Sequence, residues 1–244
     1  AGDVLYRDAA DNRSPLLPYL KAAVFAIAGD WNVHAVHLLL ALLMGGCAVM
    51  LWRIGRHLGE EIAGATAAIV FTVLSFTMLD PGDAVSANTG WFLVVFSTAG
   101  FLVLAAALPR PTFWRGALAG GLFGGAFLCK QPGLFDLFVA WALIAFLSVE
   151  QRQQRQAWLR FAAGTAVGAA APVIGFVVYF AAHHALPDLI YYAYTFNTRL
   201  YIPEVPRLER LAGMLEPFRL AWTNAPAAFV LGIAGAIAAS ITVV

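Results

Sequence analysis

The sequence predicts an all-α polytopic membrane protein, a transmembrane helical bundle of about seven spans with a loop and helix at its outer face. Hydrophobic residues make up 61% of the 244 residues and charged residues only 12%, a composition outside the range of soluble globular domains. The apolar residues come in runs, most of about 20 residues, which is the length that crosses a bilayer. These runs lie at 33–52, 61–79, 89–108, 114–129, 133–149, 159–182 and 222–244.

The runs divide the chain into four segments. We expect an outer loop with a juxtamembrane helix at 1–32, six transmembrane helices within 33–182, an outer loop with an interfacial aromatic segment at 183–221, and a seventh helix at 222–244. The chain begins with Ala1 and stops inside the last apolar run, so we expect it to be a piece of a longer protein that lacks the first helix and the C-terminal part. The glycine-rich run 114–129 is expected to pack closely against its neighbours.

Charge predicts the orientation of the bundle. Positive residues concentrate in cytoplasmic loops. Among the short loops between the apolar runs, one alternate set carries almost all the positive residues: Arg53, Arg56, Arg110, Arg115, Arg152, Arg155 and Arg160. The alternate short loops carry only Lys130. The N-terminal loop and the 183–221 segment are therefore predicted to lie outside. A net charge of +1 without a basic run gives no indication of a nucleic-acid partner.

The densest polar cluster is YRDAADNRSPLLPYLK, residues 6–21. It contains Asp11, Asn12 and Arg13, and Pro15 predicts the start of a short helix that runs towards Lys21. A capped, solvated loop would explain these residues, and so would a site at the membrane surface. Cations at such a surface pair well with phosphate.

Two further stretches carry candidate residues. In FLCKQPG, Lys130 and Gln131 end an apolar helix, and Lys130 is expected either to snorkel to the headgroups or to bind a phosphate. In LDPGDAVSANTG, residues 79–90, turn chemistry and a helix cap at Asn88 or Thr89 explain most of the residues but leave Asp83 without a structural role.

The segment 183–221 is rich in tyrosine, with Asn197 and Arg199 among the aromatic residues. An interfacial amphipathic helix and the wall of a sugar site are both compatible with this pattern. The sequence has no GxSxG, HExxH, Walker or Rossmann fingerprint. Cys47 and Cys129 lie in apolar runs, so neither a disulfide nor a metal site is indicated.

Residues 6–43, YRDAADNRSPLLPYLKAAVFAIAGDWNVHAVHLLLALL, resemble the first outer loop and following helix of bacterial GT-C glycosyltransferases. These are the enzymes of glycosyltransferase family 39 and the dolichyl-phosphate-mannose-protein mannosyltransferase superfamily. Further similar stretches follow in the same order, namely GRHLG at 55–59, SANTGWFLVVFSTAGFLVL at 86–104, FLCKQPGLF at 127–135 and LPDLIYYAYTFNTRLY at 186–201.

The resemblance implies an enzyme of the bacterial inner membrane with a periplasmic active face. It would transfer a sugar from a polyprenyl-phosphate donor to a lipid, glycan or protein acceptor. By position, Arg13 would bind the donor phosphate, with Lys130 as a second candidate. The family's catalytic base, an Asp, is expected before Ala1, so neither Asp8 nor Asp11 is assigned that role. The substrate-site candidates are Asp11, Asn12, Asp83, Asn88, Gln131, Asn197 and Arg199.

We expect no cofactor, and a divalent metal is not indicated. Two other functions are compatible with the residues. One is a non-catalytic binder or flippase of lipid-linked sugars, although no ionisable residue is predicted at the middle of a span. The other is a protein like an O-antigen polymerase or ligase, because the 183–221 loop contains four arginines.

Overall fold

The computed structural model describes residues 4–77 and 87–196, together with isolated positions between 199 and 230. Within 4–196 the described residues form eight α-helices: α1 Leu16–Ala28, α2 Val33–His57, α3 Glu61–Thr77, α4 Thr89–Ala107, α5 Phe113–Cys129, α6 Gly133–Glu150, α7 Arg155–Ala182 and α8 Leu186–Ile190. A 3₁₀ turn, Arg152–Gln154, precedes α7, and a single π-helical segment, Tyr191–Thr195, follows α8. The predicted all-α fold is confirmed.

Among the residues that the structure describes, four helical stretches are long and apolar enough to cross a membrane. They are α2, α4, α6 and the stretch Arg152–Ala182, which contains α7. The prediction of a helical membrane protein is confirmed, whereas the number of seven spans stays a prediction. The predicted seventh span lies almost wholly outside the described residues.

Two predicted loops are shorter in the structure than in the sequence analysis. Helix α2 continues through Arg53 and Arg56 to His57, and α7 begins at Arg155. Arginine is a good helix former, so these basic stretches extend the apolar helices by one or two turns instead of leaving them. Several of the arginines expected in loops therefore lie on helix ends.

Helix starts follow local capping chemistry. The side chain of Asn88 caps α4, accepting a hydrogen bond of 2.9 Å from the backbone N–H of Gly90. Asn32 caps α2 in the same way through Ala35, at 3.1 Å. Pro15 precedes the first residue of α1, as predicted. The expected capping role of Asn88 is thus confirmed.

Among the described helices, α5 and α7 share the most extensive contact. Gly116, Gly120 and Gly124, one turn apart on α5, face backbone carbonyl groups of α7. A Cβ atom placed on Gly120 would lie 2.1 Å from the carbonyl oxygen of Thr165. Such spacing allows two helix backbones to touch, which confirms the predicted close packing of the glycine-rich run. Beside this contact lie the buried rings of Phe123, Trp158 and Phe161.

One end of the bundle gathers the elements that carry most candidate residues, and we call it the α1 end. A single buried cluster joins Leu17 of α1, Val36 near the start of α2, Ala87 just before α4 and Cys129 at the end of α5. The end of α7 lies at the same end, since Phe180 packs against the N-terminal loop. The turns between α2 and α3, α4 and α5, and α6 and α7 therefore lie at the opposite end.

Candidate functional site

The N-terminal loop is anchored to the bundle by Tyr6. Its side chain is buried, with the ring centroid 5.5 Å from that of Phe180 and 6.5 Å from that of Tyr192. Its hydroxyl donates a hydrogen bond of 2.5 Å to the carbonyl oxygen of Arg13. Burial raises the pKa of this phenol. Tyr6 begins the polar cluster but is not among the site residues predicted from the sequence.

A salt bridge between Arg7 and Asp8 stabilises the start of the same loop. The Arg7 guanidinium donates 3.0 Å from Nη1 to the carbonyl oxygen of His183 and 2.8 Å from Nη2 to Asp8. Asp8 also accepts a 2.7 Å hydrogen bond from the backbone N–H of Val4. The hydrogen bond from Arg7, followed by that from Val4, lowers the pKa of Asp8 from 3.8 to about 2.

Asp8→Asn is expected to loosen the loop, because the amide loses the charge that pairs with Arg7. Since the folded-state pKa is lowered, the stabilisation by the carboxylate is fully present above pH 3.8 and is lost as pH falls through about 2. Hydrogen–deuterium exchange of the Val4 amide should therefore be faster in the variant than in the wild type. Above about pH 5 the Asp8 carboxyl group is ionised, so the opening equilibrium of the wild-type loop should not change with pH. Asp30→Asn, at an exposed aspartate, is the control, and equal protection in both variants would contradict the role of Asp8.

Arg13 is fixed through its backbone and presents its side chain to solvent. Its N–H donates a 3.0 Å hydrogen bond to the Asp11 carboxylate, its carbonyl accepts from Tyr6, and its side chain is exposed. Nearby, Lys21 is partly buried on α1. Burial lowers the pKa of Lys21, the Arg13 charge lowers it further, and Asp11 opposes the shift. Arg13, Lys21 and Asp11 therefore interact electrostatically around the first two turns of α1.

Lys130 lies at the α1 end as well, directly after Cys129 of the buried cluster. Its side chain is exposed, and its extended backbone ends α5. The next residue, Gln131, donates a hydrogen bond of 2.8 Å to the carbonyl oxygen of Ala193 in the π-helical segment. Gln131 thus ties the turn after α5 to the tyrosine-rich segment. The ring of Tyr194 in that segment stacks on Phe127, with centroids 6.4 Å apart.

For the remaining candidate residues the structure gives burial alone or does not describe them. Asn12 is partly buried in the loop, and Arg199 is exposed. Asp83 and Asn197 lie outside the described residues. In the part of the chain that the structure describes, no three His, Cys, Asp or Glu side chains group as metal ligands.

Two largely apolar cavities meet at Tyr19 of α1. A cavity of about 360 Å³ is lined by Tyr19, Pro172, Gly175, Phe176 and Tyr179. A second cavity of about 170 Å³ lies between α1 and the N-terminal loop. Tyr19 lines both cavities. We call this pair of cavities the α1–α7 groove.

The α1–α7 groove is not predictable from local sequence, because its walls come from segments more than 150 residues apart in the chain. The only sequence signal is Pro172, a proline inside an otherwise regular helix. Proline removes a backbone donor and bends a helix.

The all-α membrane fold and the match to known proteins define the class as a membrane glycosyltransferase of the GT-C type. Residues 12–176 match the family described as dolichyl-phosphate-mannose-protein mannosyltransferase, and the chain belongs to this family. The matched range includes Arg13, Lys21, Lys130 and Gln131. Comparison with curated proteins and with solved structures gives no match.

Proposed function

We propose that the protein transfers a sugar from a polyprenyl-phosphate donor to a lipid, glycan or protein acceptor on the outer side of a bacterial inner membrane. The observation that carries this proposal is that α1, which begins shortly after Arg13 and carries Lys21, also lines the α1–α7 groove. A ligand that fits both the cations and the groove has an anionic head and a long apolar chain. A polyprenyl-phosphate sugar has this chemistry, as does the dolichyl-phosphate-mannose of the family's description.

The head of the donor would lie at the start of α1. There the exposed guanidinium of Arg13 and the ammonium of Lys21 would neutralise the phosphate, with Lys130 as a further candidate. Two hydrogen bonds hold the backbone of Arg13, and α1 carries Lys21, so both side chains start from defined backbone positions. Positive groups preorganised where negative charge develops are an effective form of transition-state stabilisation.

The proposed reaction is a direct displacement with inversion. The acceptor hydroxyl or amine attacks the anomeric carbon, the bond from that carbon to the phosphate oxygen breaks, and the phosphate leaves with the electron pair. The acceptor proton passes to a carboxylate base, which we propose lies before Ala1. No step requires a cofactor, and Asp11 is proposed to line the site through its contact with Arg13.

The tyrosine-rich segment is proposed as the wall on the sugar side. Aromatic faces suit sugar rings, and Gln131 positions this segment through its hydrogen bond to Ala193. We propose that Asn12, Asp83, Asn197 and Arg199 complete the polar lining, whereas Asn88 acts through the start of α4, which it caps.

Filling the groove provides a direct test. A Cβ atom on Gly175 meets no other atom within 4 Å, so Gly175→Leu is expected to fold and to occupy the space of the lipid chain. We expect KM for a long-chain donor to rise about tenfold, because the lipid chain loses the burial of about two CH₂ groups. KM for a donor with a very short chain should change little. The two KM values would be measured from the rate of sugar transfer in membranes.

Gly45→Leu is the matched control, since Gly45 on α2 also has open space around its Cβ position. Equal KM values for Gly175→Leu and Gly45→Leu would contradict the assignment of the groove. The assay also separates the other two functions. A binder or flippase would move the lipid without forming product, and a polymerase or ligase would prefer a lipid-linked oligosaccharide to a monosaccharide.

A further inference from the structure

We propose that the end of the bundle opposite the α1 end contains a separate binding site for the phosphate of an anionic membrane phospholipid. Arg53, Arg56 and His57 line a cavity of about 320 Å³ there. The site lies at the far end of α2, a helix of 25 residues and therefore about 37 Å long. This distance makes it independent of the proposed glycosyl transfer.

Helix geometry brings the three side chains together. Positions 53, 56 and 57 are three and four residues apart, so they lie on one face of the last turns of α2. Arg56 is held from two sides, with its guanidinium carbon 5.0 Å from the centroid of the Trp52 ring and its Nε 3.8 Å from the carboxylate of Glu61. These contacts orient Arg56 at the cavity wall, and its side chain remains 55% exposed.

The other two basic side chains are available to a ligand. Among the residues that the structure describes, neither Arg53 nor His57 makes a side-chain hydrogen bond or an ion pair with a carboxylate. The acidic residues nearby in the chain are Glu60 and Glu61, and Glu61 is the partner of Arg56. The cations also offset the negative end of the α2 dipole, but that role does not require them to enclose a cavity.

The surroundings favour a lipid as the source of the phosphate. The cavity lies at the end of a helix that is long and apolar enough to span a membrane. Leu58 and Ile62 next to it are 57% and 84% exposed, which is typical of side chains that face lipid. The distribution of arginine predicts that this end is cytoplasmic, and the cytoplasmic leaflet is rich in anionic lipid. The positive charge of the cavity and its position at the end of a membrane-spanning helix therefore match an anionic lipid headgroup.

Lipid binding by the purified protein tests the proposal. Native mass spectrometry in detergent would count bound phosphatidylglycerol against phosphatidylcholine, with inorganic phosphate in a parallel arm. We expect preferential binding of phosphatidylglycerol, weakened about fivefold by Arg53→Gln, since a basic residue contributes about 1 kcal/mol near an anionic surface. Arg53→Gln with Arg56→Gln should weaken it further. Arg152→Gln, at an exposed arginine of the same end, should have no effect.

Three binding results would each overturn the proposal. Equal binding of the two lipids would remove the need for an anionic headgroup. Equal losses in Arg53→Gln and Arg152→Gln would show general charge attraction instead of a site. If inorganic phosphate alone were bound and lost in the variants, the ligand would be a soluble anion. Unchanged thermal stability of Arg53→Gln in neutral detergent would confirm that a loss of binding is not a loss of folding.

Discussion

Arg13→Ala is expected to reduce sugar transfer by about 100-fold or more, the usual effect of removing one preorganised charge from a transition state. The protein should remain folded, because Arg13 is tied to Tyr6 and Asp11 by its backbone and its guanidinium is exposed. Alanine keeps both backbone hydrogen bonds and removes only the cation. The measurement is initial rate with a polyprenyl-phosphate sugar, alongside thermal unfolding of the same preparation.

The controls for this variant distinguish charge from structure. Arg13→Lys keeps the charge but not the planar fork of donors, so we expect it to restore part of the activity. Arg110→Ala removes an exposed arginine at the opposite end of the bundle and should retain the wild-type rate. Wild-type activity in Arg13→Ala would exclude Arg13 from the donor-phosphate site.

Gly120→Ala is expected to cause the largest loss of stability, about 3 kcal/mol or more. The added methyl carbon would lie 2.1 Å from the carbonyl oxygen of Thr165, which is inside the contact distance of any two heavy atoms. Neither atom is the end of a flexible side chain, so α5 and α7 would have to separate. For a domain of this size the loss corresponds to a fall in Tm of about 6–12 °C, measured by thermal unfolding in detergent.

The adjacent residue is a matched control. A Cβ atom on Gly121 would be 3.7 Å from the carbonyl oxygen of Gly168, an ordinary van der Waals distance. Gly121→Ala has the same gain in helix propensity as Gly120→Ala and should be neutral or slightly stabilising. A similar Tm for the two variants would show that α5 and α7 do not pack through their backbones at Gly120.

The resemblance to GT-C glycosyltransferases, drawn from short motifs in order along the chain, is confirmed by the family match over residues 12–176. Donor, acceptor, membrane side and catalytic base remain proposals. Of the predicted site residues, the structure gives Asp11, Arg13 and Gln131 defined partners. It shows Asn88 to be a helix cap, as turn chemistry had indicated.

The sequence by itself determined the features that depend on neighbouring residues. Run lengths of apolar residues predicted the helices, Asn88 and Pro15 predicted helix starts, and the glycines of 114–129 predicted a close contact. Each of these signals acts through local propensity or one-dimensional spacing. Local chemistry also indicated that Arg13 and its neighbours form a polar cluster.

Only the tertiary structure decided which distant segments meet. The partner of the glycine-rich helix is α7, Tyr6 is buried against Phe180, and Tyr19 lines a groove with Phe176. No local rule selects these pairs, because helix packing depends on the shapes of two complete surfaces. An apolar groove on the helix that carries Lys21 therefore emerges from the fold, and this groove supports an amphiphilic donor.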